Sequence, residues 1–242
     1  MGENIIMQSG TVDLCNNESP KFGQKFEDRK VHLILVRHGV SEHNQACQIL
    51  INGKASYNYR FNSNPEHINY KPSYLLNEGK IQITETAKNL CNKGVDQFNA
   101  IAYVSPLPRT QQSAEILCQH GVIGTEYITD KRIIEAQAGE LEGQFGLYPN
   151  NYQKVSREAK EVNKYESKES LGERVKDFML SMQNEVSKLN FKNIVIVSHD
   201  SVLESIVQIF RPDYAVVVSP GHYLEYDLCF NSITPNVIGT LI

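Results

Sequence analysis

Little in this sequence points toward a membrane, a nucleic acid or a disulfide or zinc scaffold. No apolar stretch approaches the ~18 residues that a membrane span needs, and the start, MGENIIMQSG, lacks the basic segment and apolar core of a signal peptide. Ile6 also breaks the myristoylation pattern that Gly2 begins. No run of Lys or Arg occurs and the formal net charge is -4, so nucleic acid is not an expected partner. The five cysteines, Cys15, Cys47, Cys91, Cys118 and Cys229, are odd in number and scattered, with no C-x-x-C pair for zinc or redox chemistry. They read as reduced, mostly buried thiols, and the expected location is the cytoplasm. No internal repeat or linker divides the 242 residues, of which 40% are hydrophobic and 21% charged, as in an ordinary soluble globule.

What is present is a strand-end pattern that recurs. Val31 to Val36 (VHLILV) is apolar except for His32 and runs straight into Arg37-His38-Gly39. Such a run suits a strand buried on both faces in the parallel sheet of an α/β protein. Open sheets of that kind bind ligands beyond the carboxyl ends of their strands. There Gly39 permits a sharp exit and a close approach, and a helix opening near Ser41 presents free N–H groups to an anion. An arginine beside a histidine at that place suggests a phosphate and a nucleophile, although three residues alone are more readily a chance match. Ala100 to Val104 (AIAYV) is a second such strand, ending in Ser105-Pro106-Leu107-Pro108-Arg109 before a helix over Thr110 to Cys118. Asn193 to Val197 is a third, ending in Ser198-His199-Asp200 before a helix over Val202 to Phe210. Those last three neighbours cannot form a hydrolase triad among themselves, because successive side chains point in different directions.

The remaining segments supply the layers. From Asn77 a helix carries Ile83, Ala87, Leu90 and Cys91 on one face and stops at Gly94. Leu171, Val175, Phe178, Met182, Val186 and Leu189 form the stripe of a second amphipathic helix. Tyr127 to Ile134 reads as a short extended segment, followed by a loop from Glu135 to Gly143. Tyr214 to Val218, His222 to Leu228 and Val237 to Ile242 read as closing strands. Shorter helices are expected over Gln45 to Ile51 and Tyr152 to Lys164. Residues 1–30 read as a loosely held arm and residues 31–242 as one domain with insertions at about 52–74 and 144–168. The first insertion is either a lid, with Tyr57, Tyr59, Arg60, Phe61 and Tyr74 over a substrate, or a surface loop.

Taken together, the motifs make the chain resemble the histidine phosphatase superfamily, branch 1, over about Val31 to Tyr226. The matching residues are Arg37-His38-Gly39 with Ser41 and Asn44, then Gly79 and Gln82, Ser105-Pro106-Leu107-x-Arg109 and Gln112-Ser113-Ala114-Glu115. They continue with Glu135, Gly139, Glu142-Gly143, Glu169-Ser170, Arg174 and Val197-Ser198-His199. The resemblance implies a three-layer α/β fold with a mostly parallel central sheet flanked by helices, like that of the phosphoglycerate mutases. It implies His38 as a nucleophile that becomes phosphohistidine and Glu135 as proton donor. Arg37, Arg109 and His199 would hold the phosphoryl oxygens, with Asn44 assisting. No metal or other cofactor is implied, and His43, His67 and His120 take surface or structural roles.

That chemistry needs these residue types. Phosphate monoesters hydrolyse so slowly that rate gains up to ~10²¹ are required, and an imidazole intermediate splits one hard step into two easier ones. The attacking nitrogen must be free of a proton, which a hydrogen bond from the other ring N–H to a carbonyl would arrange. Guanidinium groups stay charged and offer paired donors to phosphoryl oxygens. The leaving alkoxide needs a proton, and the negative charge of a bound phosphate favours the protonated form of a neighbouring glutamate.

Three departures bear on function. Val40 stands where relatives usually carry Glu or Gln. Asp200 stands where many carry Gly or Ala, and it is a rival proton donor, since the acid phosphatases and phytases of a distant branch use a His-Asp pair. The mutases follow their acid glutamate with basic and aromatic residues, whereas Ala136-Gln137-Ala138 follow Glu135. The expected activity is therefore a phosphomonoesterase acting on a phosphorylated small molecule or phosphopeptide. A phosphoglycerate mutase and a silent phospho-ligand or protein-binding module are the alternatives.

Overall fold

A computed structural model describes residues 29–45, 62–143, 164–186, 189–230 and 240–241. Within them the chain forms β1 (Arg29–Arg37), α1 (Asn77–Asn92), β2 (Ala100–Val104), α2 (Pro108–Gln119), β3 (Ile128–Thr129), α3 (Lys168–Val186), β4 (Asn193–Ser198), α4 (Asp200–Phe210), β5 (Tyr223–Phe230) and β6 (Thr240–Leu241). The strands make one sheet in the order β3-β2-β4-β1-β5-β6. β1, β2, β3 and β4 run parallel, and β5 and β6 pair antiparallel at one side.

The apolar runs become central strands because both faces of the sheet are covered. Along β1, Leu33 and Leu35 pack with Val175, Phe178 and Met182 of α3 and Leu203 and Ile206 of α4. Their neighbours Ile34 and Val36 point the other way, into a cluster with Ile83, Ala87 and Leu90 of α1 and Ala114 and Leu117 of α2. β4 divides in the same manner, Ile194 and Ile196 to one side, Val195 and Val197 to the other. Each such side chain, removed fully from water, contributes about 1.5–3 kcal/mol. The result is the expected three-layer α/β arrangement with a mostly parallel sheet.

Several details differ from the sequence reading. The Tyr214–Val218 stretch is not a strand: Val216 and Val218 pack on the core while Val217 is 81% exposed, but β5 already occupies the free side of β1. An alternating apolar pattern without a sheet edge to join stays irregular. Of Tyr127 to Ile134, Ile128 and Thr129 alone pair as strand, and Lys131–Ile133 tighten into a 3-10 turn in which the Asp130 side chain caps the Arg132 N–H. Cys91 is exposed, and Leu189 lies beyond the end of α3 and is partly exposed. α2 begins at Pro108, the position where a missing N–H costs nothing, and α4 begins at Asp200. β1 begins at Arg29, so two residues assigned to the arm belong to the sheet. Residues 1–28, Tyr57 to Phe61, most of Gln45 to Ile51 and of Tyr152 to Lys164 lie outside the described residues. Among the described residues no helix is long and apolar enough to cross a membrane.

Candidate active site

Strand register builds the site. β1 and β4 pair Arg37 with Ser198, so the next residues, His38 and His199, leave the two adjacent strand ends side by side. Their rings stand 5.1 Å apart, edge to face, and both are buried. β2 continues beside β4 with Val104 opposite Val197, which brings Ser105 to His199: Ser105 Oγ lies 2.8 Å from His199 Nε2. Ser105 leads into α2, whose first turn carries Arg109, also buried. Arg109 Nε donates to His38 Nε2 at 3.3 Å, and its Nη1 donates to the main-chain oxygen and Oδ1 of Asn62 at 3.3 and 3.1 Å. Arg37 Nη1 donates to the Val218 carbonyl at 2.5 Å and lies 3.5 Å from Asp200 Oδ1. Glu135 closes the group: Oε2 is 3.6 Å from His199 Nδ1, while Oε1 accepts from Ser201 Oγ and from the Ala136 N–H at 3.0 Å.

A backbone hydrogen bond fixes the His38 tautomer. His38 Nδ1 is 2.8 Å from the Gly39 carbonyl, which can only accept, so the proton sits on Nδ1 and Nε2 keeps its lone pair. Burial and the Arg109 guanidinium push the His38 pKa well below the usual imidazole value; Arg37 and His43 add to this, and the Gly39 carbonyl opposes it. His199 is held down in the same direction by burial, then by Arg109, His38, Arg37 and Arg174. The Glu135 carboxylate beside Nδ1 favours the neutral His199 tautomer with its proton there, to which the Ser105 hydroxyl adapts by donating to Nε2. His199 Nδ1, Arg37 Nε and Tyr70 Oη are buried with no hydrogen-bond partner among the described residues. Burial also lowers the pKa of Arg109, opposed by Glu135, Tyr70 and Glu142, and it remains a cation at neutral pH.

A surrounding frame holds these groups. Gly39 and Gly79 are in backbone contact: a Cβ built on Gly39 would lie 2.3 Å from the Gly79 oxygen, and one on Gly79 would lie 2.1 Å from the Val40 oxygen. α1 is thereby seated on the turn after β1, where Gln82 Oε1 also accepts from the Val40 N–H at 3.0 Å. Arg174 of α3 grips both oxygens of Glu166 and donates to the carbonyls of Arg132 and Glu135, so the loop carrying Glu135 is tied to the helix layer.

Of the residues singled out in the sequence, Arg37, His38, Arg109, Glu135 and His199 converge. Asn44 has its Oδ1 turned back to the N–H and hydroxyl of Ser41. Asp200 accepts from the Val218 N–H at 2.8 Å and faces Arg37. Tyr74 is nearly half exposed. Sequence reasoning missed Asn62, Ser63 and Tyr70, which lie in an aperiodic stretch with no local signal, and Ser105 and Ser201 as partners of His199 and Glu135.

The chain has no match among curated proteins. Solved structures resemble it closely in shape. Mycobacterial hydrolase 1 shares 14% identity over 88% of this chain and 96% of its own, with a TM-score of 0.65. Phosphoglycerate mutase from Bacillus anthracis shares 18% over 89% and 92%, at 0.63. Mycobacterial glucosyl-3-phosphoglycerate phosphatase shares 13% over 88% and 97%, at 0.62. At such identities the likeness speaks for the fold. The family itself is given by the sequence model for the histidine phosphatase superfamily (branch 1), which matches residues 33–214, and to that superfamily this chain belongs.

Proposed function

We propose that the protein is a phosphomonoesterase that works through a phosphohistidine on His38. The observation that carries this reading is the bond from His38 Nδ1 to the Gly39 carbonyl, which leaves Nε2 unprotonated inside a ring of Arg37, Arg109 and His199. In the first step the Nε2 lone pair attacks phosphorus, the P–O bond to the alcohol breaks, and Glu135 gives its proton to the departing oxygen. In the second, water attacks the phosphohistidine, Glu135 takes a proton from it, and the P–N bond breaks to release inorganic phosphate and neutral His38. Arg109 Nε is only loosely engaged at 3.3 Å and exchanges that contact for a phosphoryl oxygen. Arg37 Nε and His199 Nδ1 offer the unused donors. Asn44 would contribute through Nδ2, because Ser41 occupies its Oδ1. The two guanidinium groups supply the charge neutralisation, so the mechanism calls for no metal ion.

Glu135 is favoured over Asp200 as the acid. Its carboxylate stands beside His199, whereas Asp200 is engaged by the Val218 N–H and by Arg37. Hydrolysis is favoured over mutase activity by the segment after Glu135. Ala136 packs against the core, and the main chain of Gln137 is bonded to Glu166 in both directions, so no cation or ring there grips a second anionic group. We place the enzyme in the cytoplasm, acting on a phosphorylated small molecule or phosphopeptide. The test is turnover of an aryl phosphate and a panel of phosphorylated metabolites and phosphopeptides by wild type and His38→Ala. Phosphate release that disappears in the variant supports the reading, and a wild-type chain inert across the panel overturns it.

A further inference from the structure

The aperiodic stretch before α1 enters the site at a point where a buried carboxylate anchors it. Glu142 is fully buried, and both its oxygens are engaged by one residue: Ser63 N–H donates to Oε1 and Ser63 Oγ to Oε2, each at 2.8 Å. The Ala138 N–H donates to the same Ser63 Oγ at 2.9 Å. Next door, Gly143 sits at φ 71° with its Cα directly on residue 69; a Cβ there would lie 1.8 Å from the Asn69 oxygen. The chain on either side of Ser63 is thus fixed to the loop that also carries Glu135. One residue earlier, Asn62 meets the Arg109 guanidinium with two oxygens.

We infer that Glu142 is a positioning residue for the phosphoryl site, acting through Ser63 and Asn62 to set the direction of the Arg109 guanidinium. This rests on the phosphomonoesterase reading given above. Arg109 stands on the first turn of a helix, and its long side chain has several rotamers. Two acceptors on Nη1 select one, in which Nε faces His38 Nε2. The acceptors are useful only while the 62–64 segment is fixed, and the fixing group is the Glu142 carboxylate. Burying a carboxylate is costly, and burial does raise the Glu142 pKa against the pull of the Ser63 and Asn64 donors. The Glu142 charge also helps to keep the buried Arg109 cationic. A neutral amide in its place would offer one acceptor oxygen where the Ser63 N–H and hydroxyl donate to two.

The test uses the full chain, an aryl phosphate and orthovanadate as the phosphoryl mimic. Asn62→Ala, Ser63→Ala and Glu142→Gln should each lower kcat/KM about 10- to 100-fold, the range a misplaced group commands, and raise the vanadate inhibition constant in parallel. In an Arg109→Ala background, Asn62→Ala should cost about 2-fold or less, since its effect passes through the missing guanidinium. Ser63→Ala guards against a Glu142 variant that fails to fold, and melting temperatures are recorded for all. Lower melting temperatures with unchanged kcat/KM and vanadate inhibition would mark the anchor as merely structural and overturn the inference. So would full additivity of Asn62→Ala and Arg109→Ala. Loss of the phosphatase reading itself shows differently, as an inert wild type or an active His38→Ala.

Discussion

At the scale of single residues, the site separates two carboxylates and two imidazoles by what each touches. Glu135 reaches His199 and Ser201, while Asp200 is occupied by Arg37 and the Val218 N–H. Glu135→Gln should therefore lower kcat/KM by about 10²- to 10⁴-fold on alkyl phosphates, whose leaving oxygen needs a proton, and far less on p-nitrophenyl phosphate. Asp200→Asn should show no such dependence on the leaving group; steady-state kinetics on both substrates decides. A second consequence follows from the buried rings. The folded pKa values of His38 and His199 lie well below 6.5, so below that pH the unfolded chain binds protons that the folded chain refuses. Stability from these groups is present above about pH 6.5 and is lost as pH falls toward the folded values. The melting temperature should fall between pH 7.5 and 5.5, and His38→Asn should make the decline shallower; equal slopes would contradict the assignment.

At the scale of elements, the site depends on α1 and the β1 turn meeting backbone to backbone. Gly79→Ala forces a Cβ to within 2.1 Å of the Val40 oxygen, and backbone cannot rotate away as a side chain can. Chemical denaturation should show a loss of about 1–3 kcal/mol, with lower activity because the turn carrying His38 moves. Gly172 is the control: it lies within α3 with nothing near its would-be Cβ, so Gly172→Ala should stabilise by about 0.5–1 kcal/mol. The same scale explains what was readable beforehand. Apolar runs such as Leu33 to Val36 announced β1, β2 and β4 because strands buried on both faces admit little else, and the polar residues ending them had to lie at one edge of the sheet. The 62–70 stretch was unreadable because its order comes from Glu142 and Arg109, 79 and 47 residues away. Nothing local in Asn62-Ser63 encodes partners at that range. Tyr214 to Val218 misled for the opposite reason, a strand-like pattern whose neighbouring edge was already taken.

At the scale of the whole molecule, three parallel strand ends place His38, Arg109 and His199 together while the loop tied down by Arg174 brings Glu135 across them. The expected net reaction is release of phosphate to water. With a phosphoglycerate as substrate, phosphate release should outpace isomer interconversion, and coupled assays for the two products measure the ratio. The most direct measurement is rapid quenching of wild type during turnover of an isotopically labelled phosphate ester, followed by peptide mapping. An acid-labile, alkali-stable phosphoryl group on His38 Nε2, absent from His38→Ala, is the predicted result; steady turnover with no label on His38, or with the label on another residue, would contradict it.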